Sequence, residues 1–293
     1  MKSPAIALVA LLLSTVAIGA TLTGEAAWKA DLAETNKAYS VRPHAILKIQ
    51  DAAYLGEGNR AFLAGTKGKP GSYKWVSGAV AHPVLVASYK GGKLTITRDG
   101  KPVANAMADI AIDTDVDLQA YPTQVSAGVD GVRIFVYNQQ NPGAKAFKGV
   151  DYFPYNPAYI ATASFKPDMK LPAHDFMTSR GTTKKFYHAG EATFMLQGKR
   201  FTLPMYAGDN DPKKVNELSA FFTDRMTNKG TYGAGRYVDA TGFGKFPPKN
   251  VTLDFNYAYN PNCARSAFYT CPVAIDDLDV AMTVGERDPH AHH

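Results

Sequence analysis

The amino-acid sequence predicts a mainly β protein, an antiparallel β-sandwich or a partly closed β-barrel, with one helix near its N-terminus. Three observations carry that expectation. Short runs rich in Val, Ile, Phe, Tyr and Thr recur along most of the chain. The 25 glycines and 18 prolines fall mainly between those runs, as turn punctuation. After Pro43 no stretch has the length and the 3.6-residue period of the crossover helices that a parallel sheet needs.

The elements follow in order. Lys2, the apolar run "AIALVALLLSTVAIGA" and the small residues Ala17, Gly19 and Ala20 have the layout of a secretory signal peptide over residues 1–20. The run falls short of the roughly 20 residues of a spanning helix. Cleavage near Thr21, export to the periplasm or the medium, and no stable membrane insertion afterwards are therefore expected. In "AAWKADLAETNKAY", Trp28, Leu32 and Tyr39 share one helical face. Strands are then expected at "AILKIQ", "VLVASY", "KLTITRDG" and "VRIFVYN". A second set follows at "AYIATASF", "KKFYHA", "ATFMLQ", "RFTLPMY", "LSAFFTD", "VTLDFN" and "VAMTVG". Gly91–Gly92 and Gln197–Gly198 join neighbouring strands as tight hairpins. Residues 21–293 read as a single β-rich domain. The Asn-, Pro-, Gly- and Tyr-rich stretch 137–159 is the place for a division, although its aromatics also fit a packed loop.

The formal charge of +6 is dispersed. Lys184–Lys185 and Lys213–Lys214 are too small for a nucleic-acid footprint and read as solvated faces. No cofactor motif is present. "TYGAGRY" lacks the Lys-Ser/Thr of a phosphate loop and follows no Rossmann strand, and there is neither a Gly-x-Ser-x-Gly elbow nor a His-Glu-x-x-His helix. No metal site is expected. His44, His82 and His174 stand alone, and "HAHH" (His290, His292, His293) sits at a frayed end. His188 and Glu191 have a His-x-x-Glu spacing that points to opposite faces of a strand unless a bulge at Gly190 intervenes. Oligomeric state is not readable from the sequence.

The two cysteines, Cys263 and Cys271, flanked by Pro261 and Pro272, are expected to form a disulfide in an exported chain. A loop that short would be stabilised by roughly 2–3 kcal/mol. Just before them, "VTLDFNYAYN" alternates. Leu253, Phe255 and Tyr257 are expected in the core, with Asp254, Asn256 and Asn260 on the other face. Asp and Asn are depleted in strands, so their placement there needs a cause.

Taken together, Phe222–Asp224, Thr231–Tyr232, Gly235–Arg236–Tyr237, Leu253–Asn256, Ala258–Pro261, Cys263, Thr270–Pro272 and Gly285–Glu286 resemble the bacterial and archaeal family known as domain of unknown function 1684. The resemblance implies homology over the C-terminal half and brings no activity with it.

Two functional expectations compete. In the first, Arg236 reaches Asp254 in a cleft that also holds Asn256, Asn260, Tyr232 and Tyr259, with His188 as a further wall. Such a cleft would bind a small polar ligand, saccharides among them. In the second, Asp254 and His188 are the general acid and base of a metal-independent hydrolase or lyase, which requires them within hydrogen-bond reach of one another or of one substrate. A structural envelope protein without a ligand is the third reading. Burial separates an open cleft from a sealed polar network.

Overall fold

The computed structural model describes residues 22–290. The expected signal peptide and the terminal His292 and His293 lie outside the described residues. Helix α1 spans Gly24–Ser40, with Glu25 in its first turn and Lys37 in its last, the signs that suit the helix dipole. Trp28 and Tyr39, three turns apart, are its buried residues. No helix among the described residues is long and apolar enough to cross a membrane.

The chain divides into two compact units. One comprises Glu34–Gly149 with Arg265–Tyr269, and the other comprises residues 22–33, Val150–Ala264 and 270–290. The passage at Gly149–Val150 falls inside the stretch 137–159.

The first unit holds strands β1 (Ile49–Leu55), β2 (Arg60–Ala64), β3 (Lys74–Val76), β4 (Leu85–Lys90), β5 (Lys93–Arg98), β6 (Lys101–Pro102), β7 (Ile110–Asp113), β8 (Val116–Ser126) and β9 (Val129–Asn138). They form two antiparallel sheets, ordered β1-β9-β8-β7 and β3-β2-β4-β5-β6. Alternate residues from both meet in one apolar cluster that includes Leu55, Leu63, Leu85, Ile96, Leu118 and Ile134. The Gly91–Gly92 turn closes Lys90 on Lys93, as the sequence predicts.

The second unit holds β10 (Ile160–Pro167), β11 (Ala173–Met177), β12 (Thr183–Leu196), β13 (Lys199–Ala207), β14 (Leu218–Asp224), β15 (Arg236–Ala240), β16 (Asn250–Asp254) and β17 (Asp276–Leu278). Its sheet runs β15-β14-β13-β12-β10-β16, with β11 added to β12 and β17 lying parallel to β14. The sheet curls so that its two ends meet. Beyond β16, Tyr259 exchanges both backbone hydrogen bonds with Tyr237 of β15, at 2.9 and 3.0 Å. Phe165, Phe194, Met205, Phe222, Leu253 and Phe255 fill the inside.

One predicted strand is absent. "VAMTVG" forms no ladder, yet Val280, Met282 and Val284 still alternate into the core. The Met282 and Val284 carbonyls accept from the side chain of Arg236 instead of from a neighbouring strand.

Candidate functional site

Arg236 points into the curled sheet and is 1% exposed. Its guanidinium donates to the Asp224 carboxylate and to the carbonyls of Val284, Met282 and Glu286. Burial works against its positive charge, and Asp224 opposes that loss. Asp224 in turn accepts from the Met226 amide at 2.6 Å. The predicted partner, Asp254, is therefore replaced by Asp224. Asp224 ends β14, the strand paired with β15, so it lies across the ladder from Arg236 rather than further along the chain.

Asp254 has a different task. It ends β16 and accepts from the Asn256 amide at 3.0 Å and from Asn256 Nδ2 at 2.7 Å, starting a short 3₁₀ turn over Phe255–Tyr257. That turn breaks the expected alternation. Leu253 and Phe255 enter the core as predicted, but Asn256 becomes fully buried, and Tyr257 turns outward to donate to Asp31 at 2.9 Å. Asn256 exchanges hydrogen bonds with the backbone of Asn156, and its carbonyl accepts from Trp28 Nε1 at 3.0 Å. Asn260 is buried too. Its amide donates to Glu286 Oε2 at 2.8 Å and its Nδ2 to the Arg287 carbonyl at 2.7 Å. Gly285 completes the cluster with φ +77°, where a Cβ would stand 2.8 Å from the Ala258 carbonyl and 2.9 Å from Arg236 Nη1. Arg236, Asn256 and Asn260 are thus parts of a sealed clasp, not walls of an open cleft.

The pairing of Asp254 with His188 fails on distance. Asp254 stands opposite Ile160, whereas Gly190, two residues beyond His188, stands opposite Pro167. Seven residues of strand separate those positions along β10, on the order of 20 Å. No single proton transfer spans that gap.

His188 belongs instead to the outer face of the sheet. The register of β12 shifts between His188 and Gly190, a bulge at the position where the spacing calls for one. Gly190 has φ +142°, and a Cβ there would lie 2.3 Å from the Lys166 carbonyl. The bulge turns His188 and Glu191 to one side, with His188 Nε2 3.1 Å from Glu191 Oε1 and Nδ1 3.6 Å from Asp168 Oδ2.

Ladder pairing extends this into a row. His188 faces Tyr206, Tyr206 faces Ser219, and Ser219 faces Asp239, so an imidazole, a phenol, a hydroxyl and a carboxyl line one face of four strands. On the same face, two residues along their strands, Phe186, Phe221 and Tyr237 join Phe176 and Tyr206 in a second, buried aromatic core, and His174 packs beside Phe176. Burial, then Asp276 and Glu191, push the Tyr206 phenol up to about 12. The Asp276 carboxyl is raised by burial and by Glu191, and its Oδ2 has no hydrogen-bond partner among the described residues. At the far end Asp239 accepts from Ser219 at 2.6 Å and from the Tyr259 hydroxyl at 2.9 Å. Burial and Asp239 together raise Glu217 to about 7. No group of three or more His, Cys, Asp or Glu among the described residues has the geometry of a metal site.

Of the predicted residues, then, His188 and Tyr259 reach this outer row, while His174, Tyr206, Ser219, Asp239 and Asp276 join it unannounced. His174 reads as an isolated histidine because its neighbours come from other strands. Two shallow surface hollows on β4 and β5, around Val86 and Thr97, carry no comparable cluster.

Tyr232 stands apart, at the cysteines. Cys263 and Cys271 are free thiols, so the expected disulfide is not formed in this structure. The reason is local. The two sulfurs are not at bonding distance: the Cys263 backbone amide points at Cys271 Sγ, 3.4 Å away, and the Cys271 amide donates to Ser179 Oγ at 3.4 Å.

The second unit is a clasped antiparallel half-barrel with a titratable row on its outer face. Residues 145–287 match the family described as protein of unknown function (DUF1684), and the chain belongs to that family through this region. It is similar to the uncharacterized protein from gene locus rrnAC0354 of Haloarcula marismortui, whose solution NMR structure shares 30% identity. That likeness covers 50% of this chain and 80% of the other, with a TM-score of 0.43. No curated protein matches the chain.

Proposed function

We propose that the outer face of the half-barrel binds a small polar ligand that is neutral or positively charged, amino sugars and polyols among the candidates. The observation that carries this reading is the in-register row His188–Tyr206–Ser219–Asp239, which runs beside an aromatic cluster, reaches the surface at His188 and Glu191, and is crowded at that end by Asp168, Glu191 and Asp276. Carboxylates outnumber the imidazoles there, so the patch favours hydrogen-bond donors and cations and disfavours anions. Thermal-shift and calorimetric titrations should compare a neutral sugar, its amino sugar and its uronic acid. Stabilisation by the first two, lost in Glu191→Gln and Asp276→Asn, supports the reading. Preference for the uronic acid, or binding indifferent to both variants, defeats it.

A second reading, a metal-independent hydrolase or lyase, draws on Glu217. Its carboxyl is raised to about 7 beside Asp239, an acid poised to exchange protons near neutrality. Turnover of a chromogenic ester or glycoside with a pH limb near 7, abolished in Glu217→Gln, would favour it. We propose further that the chain is exported, on the strength of Lys2 and the apolar run that follows it. Mass spectrometry showing a mature start near Thr21 in periplasmic or secreted protein is the expected result, and a chain that keeps Met1 and stays in the cytosol would end that proposal.

A further inference from the structure

We propose that Arg133, on the outer face of the first unit's β1-β9-β8-β7 sheet, binds a small organic anion, a carboxylate or phosphate group carried on an aromatic or apolar body. This site is separate from the outer row of the second unit and does not depend on it.

The alternation of β9 places the arginine. Val132, Ile134 and Val136 enter the core of the first unit, so Arg133, Phe135 and Tyr137 turn to the other face. Arg133 stands opposite Tyr54 on β1 and Tyr121 on β8, a guanidinium between two phenols in one cross-strand row. Three rings gather at its end. Cζ lies 5.1 Å from the centroids of Phe135 and Tyr269 and 5.4 Å from that of Tyr121. Tyr269 comes from the segment Arg265–Tyr269, which belongs to this unit.

What this arginine lacks is an acceptor. It is partly buried, and among the described residues it makes neither an ion pair nor a hydrogen bond. Its Nε is buried without a partner, so the two Nη groups form the edge left to solvent. Arg225, Arg236 and Arg287, by contrast, each hold a carboxylate. The outward positions of β1, β9 and β8 offer one acid, Asp117, which lies further along β8 and is already engaged by His44 and Gln139. The Tyr121 hydroxyl is spent as well, donating to Gln119 and lying 3.2 Å from the Tyr137 hydroxyl.

Rings attract the face of a guanidinium but use none of its N–H donors. Those donors, held at a half-buried edge, match the two oxygens of a carboxylate or phosphate in a bidentate pair. With no carboxylate beside it, the site presents an incoming anion with attraction and no like charge to repel it. Tyr121 and Tyr269 are only partly buried, so an aromatic or apolar ligand body gains ring contact as its oxygens dock. The charge preference is therefore the reverse of that of the row at His188.

The test titrates the full chain by calorimetry with benzoate, phenyl phosphate and benzamide, which share a ring and differ in head group. Benzoate and phenyl phosphate should bind with a Kd on the order of 1 mM, and benzamide should not bind. Added salt should weaken both anions, and the tighter of the two identifies the preferred head group. Arg133→Lys, which keeps the charge and loses the fork, should weaken both by about tenfold, and Arg133→Gln should abolish their binding. If neither variant folds, Tyr269→Ala keeps the guanidinium and removes one wall, with an expected loss of about threefold for both anions. Benzamide binding as tightly as benzoate overturns the proposal. So does anion binding that is unchanged in Arg133→Gln or Tyr269→Ala, or the absence of binding by either anion.

Discussion

Two polar regions of the half-barrel, one inside and one outside, differ in almost everything except their distance from the apolar core. The clasp at Arg236 is sealed. Arg236 is 1% exposed and Asn256 0%, and their donors are spent on Asp224, Asp254 and backbone carbonyls. The row is open at its His188 end, with side-chain exposure of 26% at His188 and 37% at Glu191, while Tyr206 and Ser219 further along it are buried. Phe222–Asp224, Gly235–Tyr237 and Gly285–Glu286, three of the segments on which the sequence resemblance rests, converge on the clasp.

Mutations at the clasp should cost stability and mutations on the row should cost binding. The largest effect belongs to Asp224→Asn, which leaves a buried guanidinium without its counter-charge. Removing one member of such a pair costs about 3–5 kcal/mol, a fall in Tm on the order of 10 °C, readable by calorimetry. An unchanged Tm would show that the clasp does not hold the fold. Next comes Gly285→Ala. Its Cβ would meet the Ala258 carbonyl at 2.8 Å in a left-handed conformation, and a loss of about 2–3 kcal/mol in urea unfolding is expected.

Third is the pH dependence of Glu217. Its folded pKa, about 7, lies above the ordinary 4.5, so the folded state holds the proton more tightly than the unfolded chain. The resulting stability is fully present below pH 4.5 and is lost as pH rises through 7, by about 2 kcal/mol once the roughly 3 kcal/mol of the full shift is reduced for the part-exposed side chain. Asp239 and Asp276 are raised as well and add in the same sense. Glu217→Gln should flatten the chemical-denaturation profile between pH 5 and 7, and a profile that rises with pH in the variant and wild type alike would contradict the assignment. The smallest stability effect, within about 0.5 kcal/mol, is expected for Glu191→Gln. A large drop in Tm there would make the row a second structural network and erase the distinction between the two regions.

Much of this was legible beforehand. The 3.6-residue spacing of Trp28 and Tyr39 marked α1, the Gly91–Gly92 and Gln197–Gly198 pairs marked two hairpins, and alternation marked the inner residues of β16 as far as Phe255. His188 and Glu191 could be joined only by a bulge at Gly190, and the bulge is there. Other features left no local trace. Asp224 gives no sign of facing Arg236, because their pairing depends on the register of two strands. "VAMTVG" reads as a strand since its side chains alternate, and alternation does not reveal whether the backbone partner is another strand or a guanidinium.

The sequence by itself determined the local geometry: which segments extend, where they turn, which side of each strand is apolar, and which family the C-terminal half resembles. These properties follow from periodicity and backbone preference within a few residues. The tertiary structure decided every partnership that gives the polar residues their meaning. It set Asp224 rather than Asp254 on Arg236, Tyr206 beside His188, and the Cys271 amide on the Ser179 hydroxyl. Such pairings join segments that may be tens of residues apart, and they are fixed by strand order and sheet curl. A chain's local pattern constrains those only through the one core that all of its strands must share.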